Sequence, residues 1–254
     1  MKSTEAILLE LMQELDSRPS AAVESIGKRL LVLSTPRCGS SMFCDVLGNT
    51  GRIGECREWF NMRYLGAYGR MKGLQQVNLG EYLSFIMEKT IGHTGVFAVN
   101  AHIEQLVHLR KKNFDVMQLG FDHLVYLYRK DRIAQAVSLA RAQITDSWSN
   151  DAREKQDAEG KITRLAITET LRHVVHSEHL YRDQSANRVH AEYAYEDFSR
   201  LGDTKAYDQI LRALGIEPVA EWSTDRKRQS GDDSGRIIDD YRRYLLGDHP
   251  GPSR

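Results

Sequence analysis

Two kinds of apolar pattern alternate along this chain. Short continuous runs, Leu30-Leu31-Val32-Leu33, Val96-Phe97-Ala98-Val99 and His123-Leu124-Val125-Tyr126-Leu127-Tyr128, have the length and composition of buried strands. Between them apolar residues recur at helical spacing. Residues 3–16 carry Ala6, Ile7, Leu8, Leu11, Met12 and Leu15 on one stripe, and Met42, Phe43, Val46 and Leu47 follow from a start at Ser40-Ser41. Further helices are predicted over 81–91, 103–109, the segment after Asp131 (Ile133, Ala134, Ala136, Val137, Ala140), 165–182, 207–214 before Gly215, and 236–246. Residues 188–193 suit one more strand and Tyr195-Glu196-Asp197-Phe198 a turn. Gly48-Asn49-Thr50-Gly51 stops the second helix. The alternation predicts an α/β fold with a mostly parallel sheet flanked by helices. Ser17 to Ser20 looks like a joint, dividing an N-terminal amphipathic helix (1–20) from a main domain (21–254). That helix suits either padding of the domain or a homodimer interface. No internal repeat is present.

Composition narrows the classes of function. With 254 residues, 41% hydrophobic and 28% charged, the chain can bury one substantial core. Net charge is zero, so no global field recruits nucleic acid or a membrane surface, and any polyanion must be met by local arginines. Three clustered cysteines, Cys38, Cys44 and Cys56, do not make a disulfide framework. No apolar run approaches membrane-spanning length, and residues 1–20 lack a signal peptide's basic start and apolar centre. A cytoplasmic enzyme is the expectation.

The strand–turn–helix passage at Ser34-Thr35-Pro36-Arg37-Cys38-Gly39-Ser40-Ser41 is the first candidate site. A helix N-terminus offers unpartnered N–H groups and partial positive charge to an anion. Gly39 allows close backbone approach, Ser40 and Ser41 add hydroxyls, and Arg37 adds a fixed charge. It is not a Walker A loop, which needs Gly-x4-Gly-Lys followed by Ser or Thr. A thiolate nucleophile at Cys38 is disfavoured, because phosphatase loops carry an Arg six positions on and here that position is Cys44. On spacing alone, an ordinary βα turn with a capping serine stays open beside the anion loop.

Gly54-Glu55-Cys56-Arg57-Glu58-Trp59-Phe60 packs acids, a base and aromatics together. That composition suits sugar binding, and it equally suits a surface loop with a Trp-Phe plug in the core. Arg129 follows the third strand, at the edge where open α/β sheets bind ligands, and Ser138 lies two turns along the next helix. Residues 145–161, with Trp148, are expected as an exposed loop that orders over a ligand. His173, His176 and His179 share one helix face without a second ligand cluster, so a solvated face is expected and no metal. The run Asp225-Arg226-Lys227-Arg228-Gln229 is too short for nucleic acid but suits one phosphate.

Taken together, these motifs resemble the PAPS-dependent bacterial carbohydrate sulfotransferases typified by trehalose 2-sulfotransferase, from about Leu30 to Arg243. PAPS is 3′-phosphoadenosine 5′-phosphosulfate. The resemblance implies a P-loop-like, three-layer sulfotransferase fold. It makes Pro36 to Ser41 the 5′-phosphosulfate loop, Arg129 and Ser138 the 3′-phosphate pair, with Arg141 and Trp148 in step, and Arg228-Gln229 part of the tail motif. Donor binding is thus expected of Arg37, Cys38, Gly39, Ser40, Ser41, Arg129, Ser138 and Arg228. The family's Gly-Glu-Pro-x-Glu-Phe-Phe signature maps Glu58 as general base, with Arg37 catalytic beside it, and Glu55, Trp59, Phe60 and His102 on the acceptor side. The acceptor is then a saccharide or other hydroxyl compound, and no metal is required. This chain departs from the family at Asn100, near which a Lys is often found, and at Cys56, where the signature has Pro. A P-loop kinase or NTPase and a non-catalytic nucleotide-binding relative are the rival expectations.

Overall fold

A computed structural model describes residues 3–21, 25–145, 148, 162–200, 203–224 and 233–248. Helix α1 (Thr4–Ser17) starts where the Ser3 hydroxyl accepts the Ala6 N–H at 3.2 Å. Strand β1 (Lys28–Ser34) leads through a tight turn into α2 (Ser40–Asn49). Helices α3 (Met62–Lys72) and α4 (Leu79–Thr90) precede β2 (Val96–His102), which runs straight into α5 (Ile103–Arg110). Then come β3 (His123–Tyr128), α6 (Arg132–Thr145), α7 (Arg164–Gln184), β4 (Ala191–Ala194), the single turn α8 (Tyr195–Phe198), α9 (Lys205–Ala213) and α10 (Ser234–Leu245).

Among the described residues the strands form one parallel sheet in the order β2-β1-β3-β4. Every residue from Leu30 to Ser34 is buried, because β1 is central and covered on both faces. Leu31, Leu33, Phe97, Val99, Ala101, Leu124 and Tyr126 face the core built with α1, α3, α4 and α5. Leu30, Val32, Val96, Ala98, Val125 and Leu127 face α2, α8 and α9 on the other side. Strand alternation thus divides one continuous apolar run between two cores, giving helix–sheet–helix layers. A third, smaller cluster joins α6, α7 and α10.

Several sequence expectations change in detail. Helix α3 has no counterpart in the sequence reading, although Asn61 caps its start and Gly73 (φ 66°) its end. Tyr195–Phe198 is a helical turn, and the fourth strand begins only at Ala191, after a 3₁₀ turn over Ala186–Arg188. Met12 and Leu15 of α1 are fully buried in the main core against α3, so this helix pads the domain. His173, His176 and His179 lie on an exposed face of α7. No described helix is long and apolar enough to cross a membrane.

Candidate active site

The parallel register sets the C-terminal ends of the strands side by side, Ser34 opposite both His102 and Leu127. The candidate site lies along this edge. Between β1 and α2 the backbone turns back sharply, with Arg37 (φ 62°) and Gly39 (φ 87°) both left-handed. An arginine in that region is uncommon and must be held there by its surroundings. Gln135 of α6 does part of this. Fully buried, it donates from Nε2 to Thr35 Oγ1 (2.9 Å) and to the Pro36 carbonyl (2.7 Å). Gly39 is required on two counts, its φ and the Tyr195 ring, which would lie 2.4 Å from an added Cβ. Gly39→Ala should therefore displace Tyr195 and lower the melting temperature by several degrees, on the order of a 1–3 kcal/mol strain; an unchanged melting curve would show that the turn accommodates a side chain.

Of the loop residues expected to bind the donor, Ser40 is buried and Ser41 exposed in the first turn of α2. The Cys38 side chain points into the core instead, and burial pushes its thiol up to about 11, so it is no thiolate nucleophile. Whatever Cys38 offers a ligand comes from its backbone.

Arg37 donates from Nε to Ser138 Oγ at 3.1 Å. The serine expected to join Arg129 is therefore bonded to the loop arginine, because α6 runs back beside the turn. Arg129 is largely buried, stacks 4.7 Å from the Tyr195 ring centre, and lies 3.8 Å from Glu196 Oε1, too far for a hydrogen bond. Its buried Nε has no hydrogen-bond partner among the described residues. Glu196 is engaged elsewhere, accepting the backbone N–H groups of Lys130 and Asp131. Burial and then the charge of Arg129 lower the Arg37 pKa. Two guanidiniums that destabilise each other at the end of a βα turn form a site that an anion would stabilise. Arg141 pairs with Asp233 at 2.5 Å, tying α6 to α10. Arg228, the basic run around it and most of the 145–161 loop lie outside the described residues.

The acidic segment runs along the free edge of β2. Arg57 pairs with Val99 in a parallel bridge and accepts the Asn100 N–H at 2.9 Å. That register carries Glu58 to His102, whose Nε2 is 3.3 Å from Glu58 Oε1. Glu58 Oε2 accepts from Asn61 Nδ2 (3.1 Å) and Gln105 Nε2 (3.0 Å). Both amides have a settled orientation: the Asn61 oxygen accepts the Arg63 N–H and the Gln105 oxygen the His102 N–H. Burial pushes the Glu58 carboxyl up, but His102 and these hydrogen bonds outweigh it and hold it down at about 2. Burial lowers His102, and the facing Glu58 carboxylate more than offsets that, so its pKa is raised. Oε2 is thus occupied by donors, and Oε1 is the oxygen placed to exchange a proton.

The other expected acceptor-side residues are placed differently. Trp59 and Phe60 are 1% and 2% exposed, with Trp59 edge-on to Tyr64 and its Nε1 donating to the Glu55 carbonyl. They form the core plug and leave no ring face for a sugar. Glu55 is paired with Arg18 at the end of α1 and with Arg57 at 3.2 Å. Sequence reasoning passed over Asn61, Gln105, Gln135 and Tyr195. Asn61 and Gln105 were detectable only as capping residues; Gln135 and Tyr195 carried no local signal. No group of His, Cys, Asp and Glu side chains among the described residues could hold a metal ion.

The family model described as Stf0 sulphotransferase fits residues 29–244, most of the chain. No curated protein matches.

Proposed function

The chain belongs to the Stf0 sulphotransferase family, and on that footing we propose that it moves a sulfuryl group from PAPS to a hydroxyl of a carbohydrate or glycolipid acceptor, leaving adenosine 3′,5′-bisphosphate. The observation that carries this reading is the pair of half-buried, mutually repelling arginines beside the α2 N-terminus, Arg37, bonded to Ser138, and Arg129, whose buried Nε has no hydrogen-bond partner among the described residues. One phosphate relieves one charge; a donor with both a 5′-phosphosulfate and a 3′-phosphate would occupy the turn and Arg129 together. Glu58 would take the acceptor's proton as its oxygen attacks sulfur in line with the leaving phosphate. Arg37, the loop N–H groups and Ser40 or Ser41 would stabilise charge growing on that phosphate. The transferred group carries less charge than a phosphoryl group, so the reading asks for no magnesium.

Adenosine 3′,5′-bisphosphate should raise the melting temperature without added metal, and a chelator should leave that shift unchanged. Bisphosphate release from PAPS across a panel of sugars, glycolipids and simple alcohols should then identify the acceptor. Stronger stabilisation by ATP with magnesium than by the bisphosphate would overturn the reading in favour of a kinase or NTPase.

A further inference from the structure

Ser34 and His102, the last residues of β1 and β2, are register partners on adjacent strands. The Ser34 hydroxyl donates to Asn100 Oδ1 at 2.8 Å. With its proton committed there, the Ser34 oxygen acts as acceptor towards His102 Nδ1, 2.9 Å away. The Ser34 carbonyl, 3.4 Å from the same nitrogen, can only accept as well. Both neighbours therefore call for hydrogen on Nδ1, so the nitrogen that gains and loses a proton is Nε2. Nε2 is the one that faces Glu58.

We propose that the base of the transfer reaction is the Glu58–His102 pair, and that Asn100 is a positioning residue which, through Ser34, keeps the titrating Nε2 towards the carboxylate. This rests on the sulfotransferase reading of the site. The acceptor's O–H bond breaks and its electron pair forms the new O–S bond. The S–O bond to the donor's phosphate breaks with its electrons on that phosphate. The proton passes to Glu58 Oε1 and is retained between Oε1 and His102 Nε2.

The pair answers a difficulty that Glu58 alone presents. While His102 carries its proton, the Glu58 carboxyl is held down at about 2 and is a weak base for a neutral-pH reaction; once the imidazole is neutral, the carboxylate and Nε2 can share the incoming proton. Handing the proton to an imidazole, whose affinity the same carboxylate raises, matches the base to the task. Other charges face the pair. Glu104, in the first turn of α5, also favours a proton on His102, and itself lies 3.5 Å from His173 of α7. Arg37 acts on Glu58 across the site, and the buried Cys44 thiol lies behind it. The form that accepts the proton has Glu58 ionised and His102 neutral. Activity should therefore rise with pH through one apparent pKa belonging to the pair, above the ordinary imidazole value of about 6.5.

The test combines kcat/KM against pH with nitrogen-15 NMR of the His102 ring in the free protein, for wild type, His102→Gln, Asn100→Leu and Asn100→Asp. His102→Gln should lower kcat at neutral pH by about tenfold to a hundredfold and abolish the rise, with bisphosphate affinity kept within about twofold. Asn100→Leu should give a mixture of ring tautomers and lower kcat with little change in KM. Asn100→Asp, which keeps an acceptor oxygen for Ser34, should restore the Nδ1–H tautomer and move the rise to higher pH. Sulfuryl transfer by His102→Gln with the wild-type pH profile, or an Nε2–H tautomer in the neutral ring of the wild type, would overturn the pair alone. An intact Nδ1–H tautomer with no transfer from PAPS to any acceptor would overturn the sulfotransferase reading, and the pair with it.

Discussion

Glu58→Gln should bind adenosine 3′,5′-bisphosphate as the wild type does and lose turnover by roughly two or more orders of magnitude, the usual contribution of a general base. The substitution is well suited to the site. Its amide oxygen can take over both donors now on Oε2, Asn61 Nδ2 and Gln105 Nε2. Its amide N–H would then face His102 Nε2, which becomes an acceptor once the carboxylate is gone. The loop should therefore keep its shape, and loss of activity would report proton transfer rather than unfolding. Single-turnover measurement with saturating PAPS checks this, with a bisphosphate titration as the control. A fully active variant would place the base elsewhere. Glu55 is a poor substitute, since Arg18 and Arg57 both hold its carboxylate.

Arg129→Ala should weaken adenosine 3′,5′-bisphosphate by on the order of tenfold to a few hundredfold, given roughly 1.5–3 kcal/mol for a charge-assisted hydrogen bond. Affinity for adenosine 5′-phosphosulfate, which has no 3′-phosphate, should scarcely change. The structure sharpens this second expectation. Arg129 repels Arg37, so its removal leaves the loop arginine at least as ready to hold a 5′-group. Tyr195, which Arg129 covers, also lies against Gly39 and Phe198 and so remains supported. Titrating both nucleotides against wild type and variant decides the matter. Equal losses for the two would make Arg129 structural and remove the 3′-phosphate assignment.

Much of this architecture was legible in local pattern. A run such as Leu30 to Leu33 is apolar at every position because both sheet faces are covered, and the helical stripes between runs require crossovers and hence parallel strands. The loop at Pro36 to Ser41 was visible because a strand end, a glycine and serines occur in sequence. Helix α3 escaped because its apolar face is interrupted by glycines at 66 and 69, leaving only its caps as a signal. Trp59 and Phe60 were ambiguous for a different reason. An aromatic pair beside acids has one composition whether it greets a sugar or fills a core, and only the position of α3 and Phe114 decides between them.

What the sequence by itself determined, then, is the class of fold, the place of the strand–turn–helix loop at Pro36 to Ser41 and the family. These depend on residues near one another in the chain, where spacing and periodicity carry the physics. Tertiary structure decided the chemistry of the site. Arg37 bonds Ser138, 101 residues away, and its charge is opposed by Arg129. Glu58 meets His102 only because Arg57 enters register with Val99, and the other ring nitrogen of His102 meets Ser34, itself bonded to Asn100 on the paired strand. A pKa or a tautomer is set by whatever charges and lone pairs lie within a few ångströms, and the chain order contains no measure of that distance.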